Sequence, residues 1–195
     1  GYSRWNNIAI TRWREDATCD ELGTHIYLRD VRTSAVWSAA YQPTGAEPDE
    51  YKVGFTDDRA EFERRDGSVT TVLDVLVSPE SDGEVRRVTI SNHGARVREI
   101  EVTHYAELVL APASAEWAHP AFSKLFVETE YLAAKGLLLA TRRRRSAHEA
   151  EVWVATHSVV EGDSLGALQV ETDRGRFIGR GRTLRDPLAI SDQRP

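Results

Sequence analysis

The chain has 195 residues, of which 41% are hydrophobic and 29% charged, a composition that suits one globular domain and excludes a disordered or fibrous protein. Its 25 basic and 31 acidic residues give a formal net charge of −6, which argues against general binding to nucleic acid or acidic membranes. No apolar run reaches the ~20 residues that a transmembrane helix needs, so we expect no membrane span.

The cysteine and methionine content restricts the class of protein further. Cys19 is the only cysteine, so an internal disulfide and a secreted disulfide scaffold are excluded. The chain contains no methionine, even at position 1, and no signal-peptide pattern follows Gly1. We therefore expect the sequence to be one domain of a larger polypeptide.

Apolar and polar residues alternate along most of the chain, with the period of a β-strand that is covered on one face. The predicted strands lie, in chain order, at 8–14, 24–31, 35–42, 51–56, 59–65, 69–78, 84–91, 96–110, 125–132, 136–143, 151–160 and 167–171. Turn residues separate them as in meandering hairpins, and only the stretch from Ala113 to Lys124 could carry helical turns. The sequence predicts an antiparallel, all-β domain of two packed sheets over residues 1–188, followed by a tail at 189–195.

The long predicted strand 96–110 has one apolar and one polar face. The apolar face holds Ile100, Val102, Ala106, Leu108 and Leu110, and the opposite face holds Glu99, Glu101, Thr103 and Glu107. This alternation places Glu107 on the polar side of the strand.

Residues 162–166 read Gly-Asp-Ser-Leu-Gly and match the G-x-S-x-G nucleophile elbow. An elbow needs a helix after the serine, and a triad in this order needs a later histidine. The residues that follow predict a strand instead, and His157 is the last histidine. We favour a tight hairpin loop around Ser164, because glycines adopt positive φ at little cost, over an esterase that uses Ser164 as its nucleophile.

The remaining polar residues indicate no metal site, cofactor or catalytic residue. The six histidines form neither an H-x-H nor an H-E-x-x-H pair, and one cysteine cannot supply a structural zinc site. Acidic residues cluster in predicted turns, which is typical of solvated surface, whereas glycoside hydrolysis needs two carboxyls across a cleft. The run Arg142 to Arg145 could neutralise phosphate, but lysine is rare here and acidic residues flank the run, so a solvated strand end is the preferred interpretation.

Aromatic residues are more informative, because flat rings stack on the C–H faces of sugars while neighbouring polar groups bind the hydroxyls. The segments 2–7, 12–16 and 37–43 combine tryptophan or tyrosine with polar residues that include Arg12, Arg14 and Gln42. The alternative for each tryptophan is a place in the core.

Several short motifs occur in a recognisable order. They are Gly1-Tyr2-Ser3-Arg4-Trp5, Ile10-Thr11-Arg12-Trp13-Arg14-Glu15-Asp16, Ile26-Tyr27-Leu28-Arg29-Asp30, Tyr41-Gln42-Pro43-Thr44-Gly45, His119-Pro120-Ala121-Phe122-Ser123-Lys124 and Gly179-Arg180-Gly181-Arg182. Together they resemble the β-sandwich domain of glycoside hydrolase family 94, formerly glycosyltransferase family 36, with bacterial cyclic β-1,2-glucan synthases as the nearest group. The likeness extends over residues 1 to 188.

This resemblance implies a supersandwich of the galactose-mutarotase type that precedes a helical (α/α)6 barrel. In the family that barrel carries the catalytic aspartate and the phosphate site, so the resemblance implies that this chain alone is not an enzyme. It also implies a parent that spans the bacterial inner membrane several times, with a soluble domain on the cytoplasmic side. The expected partners are the barrel, a β-glucan oligosaccharide and a second copy in a homodimer.

In the family a loop of the sandwich approaches the active site of the partner subunit, and by motif position we assign that role to residues 117–124. The candidate residues for carbohydrate or a domain interface are Trp117, His119, Phe122, Lys124, Arg12, Arg14 and Gln42. The alternative for Trp117 and Phe122 is that they fold back and cap the open end of the sandwich. A second functional hypothesis is a free-standing carbohydrate-binding module.

Overall fold

The computed structural model describes residues 1–15, 22–149 and 151–191. The strands are β1 Arg4–Trp5, β2 Ile8–Thr11, β3 Thr24–Asp30, β4 Val36–Ser38, β5 Glu50–Phe55, β6 Arg59–Asp66, β7 Val69–Val77, β8 Glu84–Asn92, β9 Ile100–Ala106, β10 Leu108–Ala111, β11 Val127–Leu132, β12 Leu137–Arg142 and β13 Trp153–His157. The helices are α1 Ala113–Ala118, α2 Pro120–Lys124, α3 Arg174–Ile178 and α4 Leu188–Ser191, and Ala133–Lys135 form a 3-10 turn.

Every strand pair in the described residues is antiparallel, so the all-β, antiparallel class is confirmed. The strands form four hydrogen-bonded sheets in the orders β1-β2-β10, β4-β3-β9, β5-β6-β7-β8 and β11-β12-β13. Buried apolar clusters group these sheets in two packed pairs.

One pair packs β5-β6-β7-β8 on β4-β3-β9. Alternate residues of β3 and β7, such as Leu28 and Leu73, point between these sheets together with Trp37. The Trp37 Nε1 donates a hydrogen bond of 3.2 Å to Thr71 Oγ1, so the indole nitrogen is not left without a partner in this core. Sequence alone left the place of each tryptophan open, and Trp37 belongs to the core.

The other pair packs β1-β2-β10 on β11-β12-β13. Its core contains Leu110, Ala140 and Val152, with Ile10 and Val127 packed beside them. The opposite face of β1-β2-β10 carries Ala9, Val109 and Ala111 and is covered by α1 and the side chains around it.

The segment after residue 157 differs from the prediction. The strand predicted at 167–171 is wrong, because residues 158–173 form neither strand nor helix and are exposed. Two helices, α3 and α4, follow this segment. The sequence pattern could not indicate them, because each is only about one turn long. Phe177 of α3 stacks on Tyr105 at 4.8 Å between ring centres, and the hydroxyl of Tyr27 donates to the Leu184 carbonyl at 2.7 Å.

This covering buries Tyr105, on the side of strand 96–110 opposite to the expected apolar face, while Ile100 and Leu110 of the expected face also pack into cores. The chain divides into β9 and β10, and β9 turns Tyr105 towards the C-terminal helices while Val102 on the sheet edge remains half exposed. The predicted tail begins inside α4, where Ile190 is buried in the same cluster. Residues 192–195 and Cys19 lie outside the described residues.

Candidate functional site

The functional candidates converge where β2, the β9–β10 junction, α1, α2 and α3 meet. Arg12 directly follows β2, Glu107 separates β9 from β10, and Glu116, Lys124 and Arg174 lie on the three helices. We call these five residues the Glu107 cluster. A backbone hydrogen bond of 2.8 Å from Arg12 N to the Glu107 carbonyl joins the first two elements.

Glu107 is the centre of this cluster. One carboxylate oxygen, Oε1, contacts Arg12 Nη1 at 2.9 Å, Arg174 Nε at 3.1 Å and the Lys124 ammonium group. The second nitrogen of Arg12, Nη2, lies 2.5 Å from Glu116 Oε1. Arg12, Glu107 and Glu116 are all buried, whereas Lys124 and Arg174 reach Glu107 from partly exposed positions.

The surroundings shift the pKa values of Glu107, Lys124 and the neighbouring Tyr105 in defined directions. Burial raises the pKa of Glu107, but hydrogen bonding to Lys124 and the charges of Lys124, Arg12 and Arg174 outweigh it and hold this pKa below its usual value. Burial lowers the pKa of Lys124, and Glu107 only partly restores it. Burial and the Glu107 charge raise the pKa of the neighbouring Tyr105 to about 12.

This electrostatic arrangement suits structure better than proton transfer. A general acid at neutral pH needs a raised carboxyl pKa, whereas the pKa of Glu107 is lowered and its charge is already opposed by three cations. The cluster instead ties the helical loop 113–124 to the end of β2 and to α3.

Beside the cluster lies a group of exposed rings, Tyr2, Trp13 and Trp117, which we call the aromatic platform. These residues are 40%, 42% and 52% exposed, respectively. The rings of Tyr2 and Trp13 are 5.7 Å apart between centres and tilted by 36°, and Trp117 Nε1 donates to the Trp13 carbonyl at 3.5 Å. Arg14, Glu15 and Trp117 border an open depression at the edge of the platform.

The structure therefore brings four predicted site residues to one region, since Arg12 and Lys124 both contact Glu107 and Arg14 lies beside Trp117. His119 is exposed in the break between α1 and α2. Phe122 is half exposed and meets Phe126 edge-on at 5.2 Å.

Gln42 does not join this region through any contact among the described residues. It precedes Pro43 through a cis peptide bond, in a turn that the buried Arg64 holds from below. The Arg64 guanidinium donates to the carbonyls of Ser38, Ala40 and Ala46 at 3.0–3.1 Å, and to the carboxylate of Asp66.

Sequence reasoning missed Glu107, Glu116 and Arg174, and placed Glu107 on a polar face although it is buried. The burial follows from the break between β9 and β10 and from the cations that neutralise the carboxylate. One signal was available: Glu107 is the only charged residue in the otherwise apolar run from Ala106 to Ala111.

The arginine run has local partners. Arg142 Nη1 donates to the Ser123 carbonyl at 2.7 Å, and its guanidinium carbon lies 5.3 Å from the centre of the Phe126 ring. Arg143 and Arg145 approach the same ring at 5.8 Å, and Arg145 also pairs with Glu149 at 3.2 Å. This patch stabilises the start of the β11–β12 hairpin.

The G-x-S-x-G motif lies in the exposed segment 158–173. Gly162 and Gly166 adopt positive φ angles of 120° and 76°, as expected of a loop, but no strand follows and the hairpin is therefore absent. Ser164 makes no hydrogen bond to another described residue. Across residues 1–15, 22–149 and 151–191, no group of three or more His, Cys, Asp or Glu side chains is arranged to hold a metal ion.

In the same described residues, no helix is long and apolar enough to cross a membrane.

Relatives of the chain are known enzymes of much greater length. It is 41% identical over 97% of its length to the cyclic β-(1,2)-glucan synthase NdvB of Rhizobium meliloti (strain 1021), of which it spans 7%. It is 25% identical over its whole length to the N,N'-diacetylchitobiose phosphorylase of Vibrio proteolyticus, of which it spans 24%. It is 27% identical over 40% of its length to the 3-O-β-D-glucopyranosyl-β-D-glucuronide phosphorylase of Paenibacillus borealis.

A family model fits the complete sequence, in agreement with the paired antiparallel sheets. The model is that of the glycosyl hydrolase 94 supersandwich domain, and it matches residues 1–195. The chain therefore belongs to the family of glycosyl hydrolase 94 supersandwich domains.

Proposed function

We propose that this chain is a non-catalytic domain of a cyclic β-1,2-glucan synthase, and that it supports β-glucan processing by an (α/α)6 barrel elsewhere in the same polypeptide. The observation that carries the proposal is the 41% identity to a glucan synthase over 97% of the chain. The geometry of the Glu107 cluster supports the non-catalytic role, because both of its buried carboxylates form ion pairs with Arg12. We propose residues 1–188 as the extent of the domain.

The helical loop 113–124 is the proposed contact with the barrel. Lys124 and Glu116 anchor the loop from inside through their ion pairs with Glu107 and Arg12. Trp117 and Phe122 are each about half exposed. A capping role would bury both rings more completely. Exposed apolar side chains on an anchored loop favour an interface, with His119 facing the contact.

The parent polypeptide provides the setting for this contact. We propose that it spans the bacterial inner membrane with this domain on the cytoplasmic side, and that a second copy of the domain is a further partner in a homodimer. Both proposals rest on the similarity to the synthase group alone.

The test of the proposed function uses the full-length parent enzyme. Phe122→Ala and His119→Ala should reduce phosphate-dependent trimming of β-glucan chains, while the melting temperature of the 195-residue chain stays close to that of the wild type. Phe55→Ala is the matched control, because this ring is 76% exposed on the distant strand β5. A parent that retains full activity in both loop variants, or without the domain, would contradict the proposal.

A free-standing carbohydrate-binding module is the second candidate. The exposed rings of the aromatic platform favour it, since core tryptophans would be buried like Trp37. This candidate requires sugar binding by the chain without any barrel.

A further inference from the structure

The aromatic platform is a group of three neighbouring rings that are all exposed to solvent. Tyr2, Trp13 and Trp117 approach one another on one side of the β1-β2-β10 sheet, and each residue is at least 40% exposed. By contrast, Tyr27, Tyr105 and Phe177 are buried together beside the β4-β3-β9 sheet, whereas Trp5 on β1 is also exposed, at 36%. A contiguous group of exposed rings indicates a binding surface.

Buried charges fix the positions of both tryptophans. Trp13 directly follows Arg12, and Trp117 directly follows Glu116. The Arg12–Glu116 ion pair of 2.5 Å therefore joins the backbone at the two positions, and the hydrogen bond from Trp117 Nε1 to the Trp13 carbonyl adds a second link. A surface that is held before a ligand arrives loses little conformational entropy on binding.

Polar groups suited to hydroxyls stand at the edge of these rings. Arg14 and Glu15 border the open depression next to Trp117, and neither forms an ion pair with another described residue. A guanidinium offers up to five N–H donors, and a carboxylate offers two acceptor oxygens. A sugar hydroxyl both accepts and donates hydrogen bonds, so it can bond to either group. Rings and paired polar groups are what a neutral carbohydrate requires.

The shape and charge of the surface define the ligand further. The depression is open, which suits a segment of an extended chain better than an enclosed monosaccharide. The chain has a net charge of −6, which disfavours a polyanionic ligand. Pyranose rings with equatorial substituents, as in β-linked glucans, present flat C–H faces that stack on tryptophan and tyrosine.

We propose that Tyr2, Trp13 and Trp117, with Arg14 and Glu15 at their edge, form a binding site for a stretch of β-linked glucan chain. The identity of the glycan rests on the proposed function, whereas the presence of the site rests on the geometry of the platform. Such a site would hold a growing or trimmed chain on this domain while another domain acts on it.

The experiment measures binding of linear β-1,2-glucan oligosaccharides to the 195-residue chain by isothermal titration calorimetry, with α-1,4-linked glucan oligosaccharides as the comparison ligand. The variants are Trp13→Ala, Trp117→Ala and the double variant. Trp153→Ala is the matched control, because this tryptophan is 56% exposed on β13 and bonds to Glu151 away from the platform. Thermal melting of each variant verifies that it is folded.

We expect binding of the β-1,2-linked ligand by the wild type and by Trp153→Ala. Each platform variant should bind roughly tenfold more weakly, or about 1.4 kcal/mol, and the double variant should show no measurable heat. If Trp117→Ala is poorly folded, Trp117→Phe takes its place. This variant keeps a ring and should retain part of the affinity.

Two results would overturn the inference: no binding by the folded wild type at millimolar ligand, or equal loss of affinity in Trp153→Ala and the platform variants. The first result would leave the platform as a contact surface for another protein domain. The proposed function is tested separately, by the activity of the parent enzyme with Phe122→Ala or His119→Ala. Failure of the glucan site and failure of the proposed function are therefore distinguishable.

Discussion

Replacing Glu107 by glutamine tests whether one carboxylate holds the loop, the end of β2 and α3 together. The substitution keeps the volume of the side chain and removes its charge. Arg12 then retains only Glu116 as a carboxylate partner, and Lys124 and Arg174 lose their ion pair with Glu107. The environment is buried, with Glu107 only 4% exposed, so water cannot replace the missing charge fully.

The expected magnitude follows from this burial. Removing one partner of a buried ion pair destabilises a protein by about 3–5 kcal/mol. The remaining acceptor oxygen of glutamine and the partial exposure of Lys124 and Arg174 favour the lower end of that range. In a domain of this length each kcal/mol lowers the melting temperature by about 2–4 °C, so Glu107→Gln should melt roughly 6–12 °C below the wild type.

The assay is urea unfolding followed by tryptophan fluorescence and circular dichroism, with the m-value checked for constancy. Glu128→Gln is the control, because Glu128 pairs with Arg143 at 4.0 Å and both side chains are more than half exposed. The control should change the free energy of unfolding by about 0.5 kcal/mol or less. Equal stability of Glu107→Gln and Glu128→Gln would refute the view that the Glu107 cluster organises this region.

Three further predictions concern pH, a second buried charge and the helical loop. Because the folded-state pKa of Glu107 is lowered, its contribution to stability is present above its unfolded-state pKa of about 4.3 and is lost as pH falls through the folded value; unfolding curves across the acid range should show a shallower decline in Glu107→Gln. Arg64→Lys should lower the free energy of unfolding by about 3 kcal/mol or more, because lysine cannot donate to three carbonyls and Asp66 at once, and wild-type stability in urea would contradict this. Trp117→Ala and Phe122→Ala should each cost less than the ~3–5 kcal/mol of a buried aromatic, since each ring is 52% exposed; calorimetric melting that shows a larger loss would favour capping.

The sequence predicted the regular part of the fold because that part depends on local alternation. Strands such as β7, where Val69, Thr71 and Leu73 are buried in turn, carry their own period of two and pair with direct neighbours in the chain. The helical turns expected between Ala113 and Lys124 are present as α1 and α2. These features need no knowledge of distant residues.

The parts that escaped prediction depend on contacts between distant segments. Tyr105 is buried because α3 returns over β9, and a helix of about one turn leaves almost no periodic signal. Glu107 is buried because Arg12 and Arg174 reach it from positions 95 and 67 residues away. The sequence identified Arg12 and Lys124 as candidate site residues. It could not show that both contact the same carboxylate, that of Glu107.

Adjacent residues in this region have different structural roles. At 12–13 and at 116–117, a buried charged residue is followed immediately by a half-exposed tryptophan. The two charged residues, Arg12 and Glu116, form an ion pair inside the protein, which fixes the backbone beneath each ring. A surface held in this way needs little reorganisation to bind the glucan chain that we propose for it.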